Sequence, residues 1–231
     1  MNILEIADRL EKIINLEASA LAAKRDLLAL LRRPDDPADS ILRVPYLNQW
    51  GQGADERRGD CGPACVAMLA RYYNSAFNSV TVDEAATACG QPTGGDGAKS
   101  TMHWQLRDGA RAYAIELETR SKYKPPELTL DLLKAKVDEG DSSIVLLHYG
   151  VLRDGTNGTG YIENQDQAYA RGHWCLFVGY ESGDVYIHDP DFWGERRGDG
   201  GFRLVSNYAF VKALKATAPG CSVGNQGLVV V

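Results

Sequence analysis

Apolar residues recur at intervals of three and four over residues 1–33, which is the spacing of one face of an α-helix. Glu17 and Lys24 interrupt this apolar stripe, and the interruption weakens a long coiled coil. The predicted helix is therefore expected to pack on its own domain or to form a short oligomeric or assembly contact. The apolar positions are Ile3, Ile6, Leu10, Ile13, Leu27 and Leu31.

A short polar segment with two prolines, Pro34 to Pro37, ends the helical pattern. Residues 34–41 are predicted to form a linker, and residues 42–231 are predicted to form the domain that carries any chemistry.

Helical patterns come first in this domain. They are predicted from about Cys61 to Tyr73, from Val82 to Ala88, and from Leu130 to Glu139. Gly140 follows the last of these helices, where a left-handed cap residue would be natural.

Strand patterns follow, rich in β-branched and aromatic residues. They cover Ser143 to Tyr149, His173 to Tyr180 and Val185 to His188, and Ser182-Gly183 offers a hairpin turn between the last two. Helices followed by antiparallel strands predict an α+β fold. The long polar stretch from Gly150 to Gly172 is expected to be a loop on the rim of a substrate cleft.

The chain has 231 residues, 44 % of them apolar, which suffices for one substantial core. The net charge of -6 disfavours nucleic acid and anionic membranes as partners. No apolar run is long enough to cross a bilayer, and the N-terminus lacks a signal-peptide pattern. With an odd set of five cysteines, the chain is expected to be reduced and cytoplasmic. Association with a particle such as a virion is the alternative.

The candidate nucleophile is Cys61, in the sequence DCGPAC at residues 60–65. Asp60 can act as the helix N-cap, and Pro63 is tolerated because the N–H groups of a first turn have no partner in the helix. Cys61 thus falls in the first turn, where the positive end of the helix dipole favours the thiolate that attacks carbonyl groups.

The candidate general base is His173, which begins a strand directly after the long loop. Asp189, at the end of the next strand, supplies a carboxylate that can orient the imidazole. A simple two-residue turn would pair Asp189 with Leu176, on the opposite face from His173. The two side chains can therefore meet only if the hairpin contains a bulge or a different turn.

The tetrahedral oxygen formed during acyl transfer needs hydrogen-bond donors. Gln49 is the predicted side-chain donor, together with the backbone N–H of Cys61, and Gln52 is the competing candidate. The substrate is expected to lie beside Gly62, and three tryptophans are predicted to wall its site: Trp50, Trp104 and Trp174.

Four segments occur in the order seen in one known family: VPYLNQ, DCGPACVAMLARYYN, GHWCLFVGY and VYIHDP. By these segments, residues 42 to 215 resemble the bacteriocin-processing, double-glycine-leader peptidases and their relatives in the papain-like superfamily. The resemblance implies a papain-like cysteine peptidase in which Gln49 builds the oxyanion hole, Cys61 attacks, His173 is the base and Asp189 orients it. The spacer of eleven residues between Gln49 and Cys61 is longer than in the processing peptidases proper and is typical of the family's more divergent members, so cleavage after a double glycine is not implied. The resemblance points to a bacterial or phage protein.

Two alternatives remain open. Zinc could be bound by Cys61, Cys65, His173 and Cys175, but structural zinc usually uses short Cys-x-x-Cys knuckles, so no cofactor or metal is predicted. An idle papain-like domain could instead serve as a structural or peptide-binding subunit of an assembly, using residues 1–33. His103 and His148 are expected to be packing residues.

The sequence thus predicts a thiol-dependent hydrolase that cleaves a peptide or related amide bond through a thioester on Cys61. Its expected partner is a peptide or protein substrate. Retention of all four predicted catalytic residues favours this reading over the idle domain, because a scaffold has no physical need for them.

Overall fold

The computed structural model describes residues 40–50, 59–91, 101–121, 127–153, 172–181, 183–192, 197–216 and 226–230. The predicted helix over residues 1–33 lies outside these ranges, as do Gln52 and most of the predicted linker. Within the described ranges, no helix has the length and apolar character of a membrane span.

Six α-helices and six strands make up the described fold. The helices are α1 (Cys61–Tyr73), α2 (Val82–Ala88), α3 (His103–Arg111), α4 (Leu130–Asp138), α5 (Tyr149–Arg153) and α6 (Asn207–Lys215), with a 3-10 turn at Ser75–Phe77. The strands are β1 (Leu117–Ser121), β2 (Ser143–His148), β3 (Gly172–Glu181), β4 (Asp184–His188), β5 (Arg203–Ser206) and β6 (Gln226–Val230).

The strands form one antiparallel sheet in the order β1-β6-β2-β3-β4-β5. Helix α1 packs on β3 and on both α2 and α3, while α6 packs on α5, β2, β4 and β5. Residues 62 to 70 of α1 are all buried, so this helix lies at the centre of the core rather than on its surface. The predicted α+β fold, with the Cys61 helix packed on an antiparallel sheet, is confirmed.

The predicted bounds of the first two helices are the observed ones, and α4 ends one residue before the predicted end. Gly140 adopts a positive φ of 93° after α4, as a left-handed cap requires. Asp60 is the N-cap residue of α1, but its side chain makes no capping hydrogen bond. Its backbone has φ -89° and ψ 9° instead of the extended conformation that aims a side-chain oxygen at the first turn.

The stretch after β2 does not begin as a loop, which corrects the prediction for residues 150–172. Tyr149 belongs to α5 rather than to the strand, and α5 continues to Arg153. His148 stabilises the start of this helix, because its Nδ1 accepts a hydrogen bond of 3.2 Å from the backbone N–H of Val151. Gly172 is part of β3, and residues 154–171 lie outside the described ranges.

Strand β6 falls in the part of the chain beyond Gly220, to which the sequence assigns no element. It pairs with β1 on one side and β2 on the other, and the side chains from Leu228 to Val230 are buried. A Cβ at Gly227 would lie 2.7 Å from Leu128 Cδ2 and 3.0 Å from the carbonyl oxygen of Ile144, so a larger residue would require Leu128 to shift. This late segment is therefore an interior strand of the sheet.

Candidate active site

The β3–β4 hairpin contains the irregularity that the sequence requires for His173 and Asp189 to meet. Near the turn, Tyr180 pairs with Val185, but beyond a shift between Phe177 and Gly179 the register changes, so that Leu176 pairs with His188. Continuing this register places Asp189 opposite Cys175, two residues from His173 and therefore on its face. The hairpin thus contains the bulge that His173 and Asp189 need if their side chains are to lie on the same face of the sheet.

The chain preceding the site packs against this bulge. The backbone N–H of Leu42 donates to the carbonyl oxygen of Val178 at 2.7 Å, and Ile41 forms a bridge with Gly179. Gly179 allows the close approach, because a Cβ there would lie 2.6 Å from the carbonyl oxygen of Ser40. The bulge is therefore part of the docking site for residues 40–42 as well as the cause of the register change.

His173 and Asp189 form a buried hydrogen-bonded pair. His173 Nε2 lies 2.7 Å from Asp189 Oδ1, and the two residues are 3 % and 0 % exposed. Burial alone would lower the pKa of His173, but its electrostatic interactions with Cys175 and Asp189, together with the hydrogen bond to Asp189, outweigh burial and raise that pKa. The carboxylate thus stabilises the imidazolium form of this histidine.

Tyr149 contacts both members of the pair. Its ring lies 4.4 Å from the His173 ring, measured between centroids, and its hydroxyl donates to Asp189 Oδ2 at 3.3 Å. The hydrogen bonds of Asp189 to His173 and Tyr149 limit the rotation of its carboxylate. Tyr149 was not predicted as a site residue, because the local sequence pattern places it at the end of a strand.

The segment that carries Gln49 is fixed to the end of β4 by His188. Its Nε2 lies 2.8 Å from the carbonyl oxygen of Val44, and its Nδ1 accepts from the Phe202 N–H at 2.9 Å. Because Val44 offers an acceptor and Phe202 a donor, His188 must be neutral with its proton on Nε2. Burial lowers its pKa to about 4, which is consistent with that neutral form.

A second contact joins this segment to the backbone of Asp189. Tyr46 donates its hydroxyl to the carbonyl oxygen of Asp189 at 2.9 Å, and the backbone N–H of Asp189 donates to the Gly200 carbonyl at 2.9 Å. A Cβ on Gly200 would lie 2.0 Å from the Asp189 oxygen and 2.3 Å from the Tyr46 hydroxyl. The position of Asp189 therefore depends on glycine at residue 200.

Gln49 and Trp50 lie against the residues that follow Asp189. The Gln49 side chain is 4 % exposed, and its Nε2 donates to Asp191 Oδ1 at 3.2 Å. The half-buried Trp50 donates its Nε1 to the same oxygen at 2.9 Å. Asp191, which no sequence pattern marks, therefore holds two of the predicted site residues.

Cys61 is the first residue of α1 and is partly exposed, whereas Cys65, one turn later, is fully buried. Gly62 brings this end of the helix against β3, since a Cβ would lie 3.2 Å from Trp174 Cδ1 and 2.7 Å from Leu106 Cδ2. Cys61 is also near enough to the buried thiol of Cys175 to influence its ionisation. These contacts place the Cys61 end of α1 beside β3, the strand that carries His173.

Cys175 is the buried neighbour of the histidine pair. One ligand atom each from Cys175, His173 and Asp189 lies within 4.8 Å of the others. Burial raises the pKa of Cys175 to about 12, so its thiol is neutral at ordinary pH.

This cluster is not the zinc set considered from the sequence, because Asp189 takes the place of Cys61 and Cys65. Two tetrahedral ligands of one zinc ion would lie about 3.3 Å apart. The 2.7 Å separation of His173 and Asp189 is instead that of a direct hydrogen bond.

The remaining predicted residues differ in exposure. Trp104 is 44 % exposed and packs edge-on against His103, with ring centroids 5.2 Å apart. Trp174 is 5 % exposed and donates its Nε1 to the Thr101 carbonyl at 2.9 Å, so it offers a ligand little surface. Trp50 and Trp104 are therefore the two predicted wall residues with surface that a substrate could contact.

The sequence of the chain matches the Peptidase_C39 like family over residues 41–202. No curated protein matches it.

Among solved structures, a protein from Bacillus anthracis described as a C39-like peptidase has 16 % identity and a TM-score of 0.52, covering 83 % of this chain and 96 % of that one. The peptidase domain of Streptococcus ComA, a bifunctional ABC transporter involved in quorum sensing, has 13 % identity and a TM-score of 0.45, covering 81 % and 98 %. A double glycine motif protease from an AMS/PCAT transporter, in complex with the leader peptide, has 17 % identity and a TM-score of 0.43, covering 83 % and 94 %.

The first of these likenesses bears on the fold and agrees with the helix and sheet arrangement described above. The family match covers well over half of the chain and includes the segments of Gln49, Cys61, His173 and Asp189. The protein is therefore a divergent member of the Peptidase_C39 like family.

Proposed function

We propose that this protein is a cysteine peptidase that transfers the acyl group of a peptide bond to water through a thioester on Cys61. The observation that carries the proposal is the buried 2.7 Å hydrogen bond between His173 Nε2 and Asp189 Oδ1. Because Asp189 engages Nε2, the ring presents Nδ1 as the nitrogen that takes the thiol proton. Membership of the peptidase family supports the same reaction class.

In the first half of the reaction, the proton of Cys61 moves to His173 Nδ1 and the sulfur attacks the carbonyl carbon of the substrate. The C–N bond of the tetrahedral intermediate then breaks, and the imidazolium donates its proton to the departing amine. In the second half, His173 takes a proton from water and the resulting hydroxide attacks the thioester. The C–S bond then breaks to release the carboxylic acid product, and the imidazolium returns its proton to the sulfur, which recovers the thiol. Asp189 favours the imidazolium that forms in each half, which agrees with the raised pKa of His173.

Two donors are proposed for the oxyanion. One is the backbone N–H of Cys61, which lies at the start of α1, where helix N–H groups lack partners within the helix. The other is the side-chain amide of Gln49, whose Nε2 donates one of its two hydrogens to Asp191 and so keeps one for the substrate.

The proposed substrate is a peptide that binds beside Gly62. Trp104, which is 44 % exposed, and the half-buried Trp50 offer apolar surface for its side chains. Apolar walls with a few oriented polar groups are typical of substrate sites.

The experiment incubates the purified chain with a diverse peptide library and identifies new termini by mass spectrometry. The wild-type protein is expected to cleave a defined subset of peptides, while Cys61→Ala and His173→Ala lower turnover by several orders of magnitude. Cys89→Ala is the matched control. Cys89 is buried and its pKa is raised to about 12 by burial, so it has no part in the proposed chemistry.

Loss of cleavage in Cys61→Ala with an unchanged circular dichroism spectrum would support the proposal. If no peptide is cleaved, or if Cys61→Ala cleaves as well as the wild type, the proposal is wrong. The idle structural subunit would then be the better account of the same fold.

A further inference from the structure

Residues 46–50 and 189–192 are joined by hydrogen bonds although they lie about 140 positions apart in sequence. The backbone N–H of Gln49 donates to the Pro190 carbonyl at 3.0 Å, and the side-chain amide of Asn48 donates to the Phe192 carbonyl. These bonds align the two segments. They leave open which way the Gln49 side-chain amide is turned.

Asp191 decides that orientation. Its Oδ1 accepts from both Gln49 Nε2, at 3.2 Å, and Trp50 Nε1, at 2.9 Å. A carboxylate accepts hydrogen bonds and donates none, so an amide turned the other way would place the oxygen of Gln49 against a negative charge. Within the described part of the chain, Oε1 of Gln49 is buried without a hydrogen-bond partner, so no bond at that oxygen sets the orientation.

The same residue contacts the other half of the site through its backbone. The N–H of Asp191 donates to Asp189 Oδ1 at 2.9 Å, and that oxygen is the one bonded to His173. One residue thus contacts both the carboxylate that orients the imidazole and the amide proposed to bind the oxyanion.

We propose that Asp191 is a positioning residue whose carboxylate fixes the Gln49 amide with an N–H directed at the oxyanion. This inference rests on the proposed function, because it assigns a role in acyl transfer to a group that does not touch the substrate.

Two reagents separate this role from a general structural one. Acylation of Cys61 by p-nitrophenyl acetate passes through a tetrahedral oxyanion, whereas alkylation by iodoacetamide does not. Asp191→Ala is expected to slow acylation by about tenfold or more. Loss of an oxyanion donor typically lowers the rate by about 10²–10³, and a misdirected Gln49 amide loses part of that rate effect. Its alkylation rate is expected to stay within about twofold of the wild type, because the backbone bond to Asp189 remains.

Three further variants complete the test. Asp191→Asn keeps an oxygen that accepts from Gln49 and Trp50, so it is expected to retain most of the acylation rate. Asp131→Ala removes an equal charge from the exposed face of α4 and controls for the loss of a charge. In a Gln49→Ala background, Asp191→Ala is expected to add little further loss, since both changes remove the same donor.

The proposal is overturned if Asp191→Ala acylates at the wild-type rate, if it slows both reagents equally, or if Asp191→Asn is as impaired as Asp191→Ala. If Asp191→Ala slows acylation as much in the Gln49→Ala background as it does alone, the proposal is also contradicted. Failure of the proposed function looks different: the wild-type Cys61 would then react no faster than a thiol in an unfolded peptide, with either reagent.

Discussion

His188 is expected to make the stability of this protein depend on pH in a defined window. It is buried and neutral, and burial lowers its pKa from 6.5 to about 4. Between these two values the unfolded chain binds a proton that the folded chain does not, so stability falls as the pH falls. At about 1.4 kcal/mol for each tenfold change in an equilibrium constant, the full loss is about 3.5 kcal/mol, and about 2 kcal/mol of it is reached by pH 5.

The test compares the wild type with His188→Gln by urea unfolding at pH 7.5 and pH 5. Glutamine keeps one donor for Val44 and one acceptor for Phe202 but takes up no proton in this range. The stability advantage of the wild type over the variant should therefore shrink by about 2 kcal/mol on going to pH 5. Other titrating groups, His173 included, are present in both proteins and cancel. A difference independent of pH would refute the reasoning.

Three further outcomes are expected. Gly200→Ala should lower the free energy of unfolding by about 2 kcal/mol or more, because a Cβ there meets the Asp189 carbonyl oxygen and the Tyr46 hydroxyl. Gly198→Ala, where a Cβ meets no atom within 4 Å, should change it by less than about 0.5 kcal/mol, and equal effects of the two variants in urea unfolding would contradict the close contact. Tyr149→Phe should lower kcat by roughly twofold to tenfold, as loss of one hydrogen bond to Asp189 implies, and an unchanged kcat would remove Tyr149 from the site. Asp189→Asn should slow turnover less than His173→Ala does, and equal losses would mean that another group orients the imidazole.

Local patterns predict three of the six described helices and three of the six described strands, whereas α3, α6, β1 and β5 were not predicted. The bounds of α1 and α2 follow from apolar spacing together with Gly and Pro positions, because the forces that end a helix act within a few residues. The need for a bulge in the β3–β4 hairpin also follows from sequence, since side chains alternate across a strand whatever the rest of the fold does.

Features that depend on distant partners could not be predicted in this way. Strand β6 is recognisable only through its pairing with β1 and β2, more than 70 residues earlier in the chain. The link between Asp191 and Gln49 spans 142 positions, and no local pattern marks an aspartate that accepts bonds from a glutamine and a tryptophan. Helix α5 was missed because a histidine, His148, accepts the hydrogen bond at its start, and histidine is not among the usual N-cap residues.

The central claim is that His173 activates the thiol of Cys61. The most direct measurement is the rate of Cys61 alkylation by iodoacetamide at pH 7, followed by peptide mass spectrometry in the wild type and in His173→Ala. We expect Cys61 in the wild type to react at least about tenfold faster than Cys89 and Cys221, and His173→Ala to abolish this advantage. Slow and uniform labelling of all five cysteines, or equal Cys61 rates in the two proteins, would contradict the account.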